Sequence, residues 1–82
     1  MRAGLWSTTV TFETLTLGVY RTIGSASEAA SVLLYDWPTD EGPAWKAAQE
    51  ICLATLEGKV SPEESRSAFL AAADEADVFV RD

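Results

Sequence analysis

Residues 19–28, which read VYRTIGSASE, change from strand-like to helix-like sequence at a single glycine. The run 19–23 is rich in β-branched and aromatic residues, which predicts a strand that ends before Gly24. Ser25 and Glu28 then have the spacing of a capping box, in which the serine caps the new helix and the glutamate reaches back. The sequence therefore passes from a strand directly into a helix.

A second strand-like run, 8–14, precedes this stretch. Val10 and Phe12 lie on one face of it, whereas Leu15 and Leu17 have the opposite parity. A strand's period of two cannot hold both pairs on one face, so a turn or a bulge must lie between them. We expect the two strands to form a hairpin and Leu15 or Leu17 to leave the core side of the sheet.

Three helices and a short last strand are expected downstream of the hairpin. The first helix ends at Trp37, because the proline that follows disfavours helix there. The others cover 43–57 and a segment beginning at Pro62, and 78–80 forms a strand. The order β-β-α-α-α-β predicts a two-layer α+β fold, with a small antiparallel three-stranded sheet and helices on one face. The last strand is expected to pair with the first.

The chain has 82 residues, the length of a single domain over 1–82, and 1–7 are expected to form a frayed lead-in. No apolar run approaches the ~20 residues of a membrane span, so we expect no membrane contact. The net charge is −7 and the six basic residues are scattered, which argues against nucleic acid as a partner. The single cysteine, Cys52, cannot form an internal disulfide, and a cytoplasmic location is expected.

The residues available for catalysis are few. The sequence contains no histidine, which removes the commonest general base and metal ligand. The five glycines are dispersed, so no phosphate-binding loop is present. Cys52 lies on the apolar stripe of its helix, where a small buried hydrophobe is expected rather than a nucleophile. We predict a protein that is not an enzyme and has no cofactor.

One turn carries a group of polar residues that could be functional: Asp36, Trp37, Asp40 and Glu41. Carboxylates grouped in a loop can bind a divalent cation. The turn lacks the alternating oxygen ligands of a calcium loop, which favours a solvated turn before a helix. A small-ligand or divalent-metal binding domain that uses the 36–41 turn is the alternative function.

Several leucines do not fit the core patterns and define the predicted interaction surface. Leu53 falls on the polar face of its helix, Leu70 lies at the flank of the next helix, and either Leu15 or Leu17 must leave the core side of the sheet. Exposed leucines that adjoin one another form a contact patch. The favoured function is a small protein-interaction or regulatory module that binds an unknown protein or a second copy of itself as a homodimer.

Several local motifs resemble those of one short bacterial family. They are Glu28-Ala29-Ala30, Leu33-Leu34, Trp37-Pro38, Gly42-Pro43, Ala48, Cys52, Leu56-Glu57-Gly58 and the run from Arg66 to Ala72. The chain resembles the family named domain of unknown function 982, seen chiefly in rhizobia and related bacteria. The resemblance implies the fold above and a bacterial cytoplasmic setting, and it brings no activity or cofactor. Asp77 departs from the pattern, because a glycine-like helix stop is expected there, and so do Asp40 and Glu41, where a basic residue is common.

Overall fold

The computed structural model describes residues 4–81, which form three strands and three helices in the order β-β-α-α-α-β. The strands are β1 (Leu5–Glu13), β2 (Tyr20–Ser25) and β3 (Val80–Arg81), and the helices are α1 (Ala26–Tyr35), α2 (Pro43–Leu56) and α3 (Pro62–Glu75). This is the α+β fold that the sequence pattern predicts. Within residues 4–81, no helix is long and apolar enough to cross a membrane.

The strands form one open antiparallel sheet in the order β2-β1-β3. The last strand pairs with the first, as predicted, and Phe12 lies opposite Val80. Trp6, Val10 and Phe12 of β1 are buried, and Trp6 and Phe12 contact Phe69 of α3. The alternate residues of β1 are exposed or half-buried. The helices therefore cover one face of the sheet and leave the other open.

Strand β1 begins at Leu5, earlier than the sequence pattern indicates. Residues 1–3 of the expected lead-in over 1–7 lie outside the described residues. Trp6 explains the early start, because it is buried and its indole N–H donates to the hydroxyl of Ser65 in α3 at 2.8 Å. The first residues of β1 are thus fixed by a side chain that reaches the helical layer.

The pairing of β1 with β2 is irregular in its first half. Leu5 lies opposite Ser25 and Val10 lies opposite Ile23, so the register advances five residues along β1 but two along β2. The extra β1 residues form a bulge, which changes the local direction and twist of the strand. The sequence pattern predicts a turn after β1 but gives no indication of this bulge.

Helix α3 supplies hydrogen-bond partners to the bulged segment of β1. Ser7 donates to the carboxylate of Glu63 from its hydroxyl at 2.8 Å and from its backbone N–H at 3.3 Å. These two bonds lower the pKa of Glu63. Arg66 donates from Nε to the carbonyl of Thr8 at 3.0 Å. Part of the backbone and side-chain bonding of the bulge is therefore provided by α3.

The helix starts and the end of α2 follow local signals. Ser25 accepts a bond from the Glu28 N–H at 3.2 Å, and the Glu28 carboxylate accepts one from the Gly24 N–H at 2.8 Å. This is the predicted capping box, with the glutamate reaching one residue farther back than usual. Ser61 caps α3, and Gly58 ends α2 with φ +80°. The boundaries of the helical segments are thus encoded mainly in neighbouring residues.

The end of α3 differs from expectation. Asp77 has φ +57° and acts as the left-handed helix stop, at a position where glycine was expected. The Val78 N–H donates to the Ala73 carbonyl at 2.8 Å, and the Asp77 N–H donates to the Asp74 carbonyl at 3.3 Å. Because the Val78 N–H is used in this closing turn, β3 starts at Val80 and not at Val78 as predicted.

The core is built around Phe69 in α3. Its ring centroid lies 5.3 Å from that of Trp37, 5.5 Å from Phe12 and 6.1 Å from Trp6. Small buried residues belong to the same core cluster: Ala26, Ala29, Ala48, Cys52 and Ala72. Small side chains let the helices and the sheet approach closely.

Candidate functional site

The β1–β2 hairpin closes in a hydrogen-bonded turn. The Thr14 N–H donates to the Val19 carbonyl at 2.8 Å, and the Val19 N–H donates to the Thr16 carbonyl at 3.0 Å. Leu15 and Leu17 are 61% and 89% exposed. Both side chains therefore leave the core side of the sheet. The strand parity required only one of them to do so.

Tyr20 and Phe79 extend this exposed apolar surface across the open face of the sheet. Their rings meet edge to face with centroids 6.3 Å apart, and they are 44% and 55% exposed. The Phe79 carbonyl accepts a bond from the Glu13 N–H at 2.9 Å, which places Phe79 beside β1. We call this surface the tip cluster, defined as Leu15, Leu17, Val19, Tyr20 and Phe79.

A cleft of about 230 Å³ lies between the tip cluster and the Trp37–Pro38 turn. We call it the aromatic cleft; among its lining residues are the aromatic Phe12, Trp37 and Phe79 and the acidic Glu13, Asp36 and Asp77. Leu15 also lines it, so Leu15 and Phe79 belong to both surfaces. The tip cluster and the aromatic cleft are therefore continuous.

Trp37 links the aromatic cleft to the core. Helix α1 ends at Tyr35, with Asp36 as its C-cap, so Trp37 lies outside the helix that the sequence pattern extends to it. The half-buried indole packs edge-on against Phe69 and is tilted against Phe12 with centroids 6.5 Å apart. Its Nε1–H is buried and has no acceptor among residues 4–81. Such a donor is uncommon, because buried polar groups are usually paired.

The acidic side chains of the 36–41 turn are not grouped as metal ligands. Asp36 forms an ion pair with Arg21 at 3.4 Å, and both side chains are substantially exposed. Asp40 and Glu41 are exposed as well. Across residues 4–81, no set of three or more His, Cys, Asp or Glu side chains is placed to hold a metal ion. The metal-binding alternative has no supporting geometry in this part of the chain.

The predicted interaction leucines fall into three environments. Leu15 and Leu17 lie together in the hairpin turn, whereas Leu53 is 58% exposed on α2. Leu70 is half-buried and packs against the core. Leu15 and Leu17, which strand parity selected, are therefore neighbours in the hairpin turn. Leu53 and Leu70, which do not fit the apolar stripes of their helices, lie at two separate positions.

Tyr20 and Phe79 were not predicted to belong to this surface, although the sequence contains an indication. Tyr20 alternates with the inward-facing residues of β2, and Phe79 alternates with Val78 and Val80. This alternation sends both rings to the open face of the sheet. Their contact, however, depends on the strand order β2-β1-β3, which local patterns do not specify.

Cys52 is buried in α2, as the sequence predicts. Removal of the thiol from water raises the pKa of Cys52 to about 11. The thiol is therefore protonated near neutral pH, and the thiolate is the reactive form of cysteine. Cys52 has the properties of a packing residue.

Helix α2 begins at Pro43 with Gly42 as its N-cap residue. Glycine has no side chain to accept hydrogen bonds from the first backbone N–H groups of the helix, and Glu75 of α3 accepts them instead. The Glu75 carboxylate accepts bonds from the backbone N–H groups of Ala44 at 3.0 Å and Trp45 at 3.1 Å. A Cβ at Gly42 would collide with this carboxylate. The Gly42–Pro43 motif therefore joins the start of α2 to the end of α3.

The fold and these surfaces define a two-layer α+β domain with an exposed apolar tip beside a small aromatic cleft. The chain belongs to the family described as "Protein of unknown function (DUF982)", which matches residues 8–80. This match confirms the resemblance seen in the sequence motifs. No curated protein and no solved structure matches the chain.

Proposed function

We propose that this chain is a small non-enzymatic protein-interaction module whose contact surface is the tip cluster. The observation that carries the proposal is the run of large exposed apolar side chains from the hairpin turn to Phe79. Single exposed leucines are ordinary on protein surfaces, but adjoining apolar side chains mark contact sites. Leu15 and Leu17, singled out in the sequence, are part of this run.

The position of the tip cluster beside an open sheet edge supports the same proposal. Strand β2, which begins at Tyr20, lies at one edge of the sheet. An edge strand offers unpaired backbone groups to an incoming chain. A partner at the tip would therefore meet both apolar side chains and backbone donors and acceptors.

The non-enzymatic part of the proposal rests on the residues available for chemistry. The sequence contains no histidine, and its single thiol, on Cys52, is buried with a pKa of about 11. General-base catalysis therefore lacks its commonest group, and thiolate catalysis lacks an accessible, ionised thiol. We also infer a cytoplasmic setting, because a lone buried cysteine is typical of a reducing compartment.

A capture experiment with matched variants tests the contact surface. Immobilised wild-type protein, Leu17→Glu and Leu53→Glu are incubated with lysate of the native cells, and captured proteins are identified by mass spectrometry. Both variants place the same charge at an exposed leucine, but only Leu17 lies in the tip cluster. The partner should bind wild type and Leu53→Glu, and calorimetry with the purified partner should show about tenfold or more weaker binding to Leu17→Glu.

Light scattering distinguishes a foreign partner from a second copy of the chain. If the partner is a second copy, the wild type is a dimer and Leu17→Glu is a monomer at the same concentration. A foreign partner leaves both proteins monomeric before mixing. The proposal is wrong if the wild type is monomeric and every captured protein binds Leu17→Glu as well as it binds Leu53→Glu.

A further inference from the structure

The aromatic cleft has the size of a pocket for one side chain. Its volume of about 230 Å³ is below the ~300 Å³ at which pockets for drug-sized ligands begin. Phe12 lies in β1, Trp37 follows α1, and Phe79 precedes β3. Three separate segments of the fold thus supply the aromatic lining, and their positions are fixed by the sheet and by packing on Phe69.

The charged residues that line the cleft are all acidic. They are Glu13, Asp36 and Asp77, and the described lining includes no lysine or arginine. The adjoining cleft on the side of α3 shares Asp77 and adds Glu41 and Glu75 without a basic residue in its described lining, whereas the adjoining cleft on the side of the hairpin shares Asp36 and includes Arg21. Because the whole chain carries a net charge of −7, this surface favours a cation over an anion.

The carboxylates of the aromatic cleft differ in how far they are already paired. Glu13 accepts a bond from the Gly18 N–H at 3.0 Å, and Asp36 pairs with Arg21 across 3.4 Å. The second interaction joins two exposed side chains, and such pairs are weak and exchangeable. The side chain of Asp77 makes no hydrogen bond or ion pair within residues 4–81. Asp77 is therefore available to an incoming donor.

We propose that the aromatic cleft receives an arginine side chain of the partner protein, an inference that rests on the proposed function for the existence of that partner. A guanidinium group is planar, stacks on aromatic rings and donates hydrogen bonds to carboxylates in a fixed geometry. The cleft offers the half-buried ring of Trp37, the exposed ring of Phe79 and carboxylates in one small volume, while Phe12 is almost fully buried behind them. Because Leu15 and Phe79 belong to both surfaces, the arginine would lie next to the apolar contact at the tip.

Capped tripeptides test this inference without knowledge of the partner. The probes are Ala-Xaa-Ala peptides in which Xaa is arginine, lysine or citrulline, the last having the shape of arginine without its charge. Binding is followed by nuclear magnetic resonance of the ¹⁵N-labelled chain. The arginine peptide should shift the Trp37 indole N–H and the amides of Asp77 and Phe79, and should bind about fivefold or more tightly than the citrulline peptide. The lysine peptide should lie between them, because it has the charge but lacks the planar group.

Two variants that each remove one negative charge provide the control. Asp77→Asn should keep the fold, because asparagine tolerates the left-handed backbone found there. Glu50→Gln removes a charge from the exposed face of α2, away from the lining of the cleft. Asp77→Asn should weaken arginine-peptide binding about two- to fivefold and leave the citrulline peptide unchanged, and Glu50→Gln should have no effect.

Several outcomes would overturn the inference. These are an absence of shifts with the arginine peptide, equal binding of the arginine and citrulline peptides, and equal effects of Asp77→Asn and Glu50→Gln. Equal effects of the two variants would show that the arginine peptide is attracted by the overall negative charge of the chain and not by the cleft. A tip-dependent partner without peptide discrimination would remove this inference alone. Peptide discrimination without a tip-dependent partner would remove the proposed function and with it the partner that supplies the arginine, and would leave only a cleft that binds arginine peptides.

Discussion

Two half-buried tryptophans in this chain differ in the pairing of the indole N–H. The Trp45 Nε1–H donates to the Leu33 carbonyl at 3.0 Å. The Trp37 Nε1–H is buried and has no acceptor within residues 4–81. A buried donor without a partner destabilises the folded state, whereas a paired donor adds a modest net stabilisation. The two residues therefore form a natural pair for comparison.

Substitution of each tryptophan by phenylalanine should give different losses of stability. Both changes remove the same ring atoms, but Trp45→Phe also removes a hydrogen bond and Trp37→Phe removes an unpaired donor. We expect Trp45→Phe to lower the free energy of unfolding by about 0.5–1.5 kcal/mol more than Trp37→Phe. Urea denaturation followed by circular dichroism measures the difference. An equal or larger loss for Trp37→Phe would contradict a net cost of the unpaired N–H in the folded state.

At the scale of the secondary-structure elements, the start of α2 depends on another helix. Gly42 has φ +117° and its Cα faces the Glu75 carboxylate, which caps α2 from the end of α3. Gly58, at the other end of α2, has φ +80° and no neighbouring atom within 4 Å of a Cβ built there. The two glycines thus share a positive φ but differ in what surrounds them.

Alanine substitution at the two glycines should separate backbone strain from the loss of the cap. Gly58→Ala introduces strain only, whereas Gly42→Ala introduces strain and displaces Glu75. We expect Gly42→Ala to lower the free energy of unfolding by about 0.5–2 kcal/mol more than Gly58→Ala, the usual effect of losing a helix cap. The measurement is chemical denaturation of both variants.

A double variant identifies the cause of that difference. In Gly42→Ala/Glu75→Ala the added methyl group no longer meets a carboxylate. The double variant should therefore lose less stability than the sum of the two single variants. Strict additivity would mean that Gly42 and Glu75 act independently and that the contact between them is not the reason for the glycine.

The elements show which parts of this fold were predictable. Ser25, Ser61 and Gly58 mark helix ends through contacts with close neighbours in the chain, and the sequence indicated the Ser25 cap and the helix bounds beside Gly58 and Ser61. The Glu75 cap and the bulge of β1 depend on residues far apart in the sequence, and no local pattern indicates them. The β3 start was misplaced because an aspartate, Asp77, took the helix-stop conformation that favours glycine.

The candidate site also combines features that local sequence predicts with features that only the tertiary structure creates. The parity change between Phe12 and Leu15 was sufficient to place leucines outside the core. The aromatic cleft was not predictable, because Trp37 is far in sequence from Asp77 and Phe79 and meets them only after α3 packs on the sheet. Local chemistry therefore identified the hairpin turn, while the cleft beside it arises from tertiary structure.

At the scale of the whole molecule, one side chain connects the two layers. Phe69 of α3 contacts Trp6 and Phe12 of β1 and also Trp37, and it is fully buried. A domain of 82 residues has a total stability of about 4–12 kcal/mol, taken at about 0.05–0.15 kcal/mol per residue. The loss of this ring therefore removes a large share of the free energy of folding.

Phe69→Ala should lower the free energy of unfolding by about 3–5 kcal/mol, because it leaves a cavity among three aromatic rings. Leu53→Ala, at an exposed leucine of α2, should change it by no more than about 0.5 kcal/mol. Urea denaturation of both variants at one temperature gives the comparison, and Phe69→Leu gives a measurable intermediate if Phe69→Ala does not fold. Similar losses for Phe69→Leu and Leu53→Ala would contradict the central role of Phe69, and with it the separation between a core that holds the layers together and a tip that is free to bind.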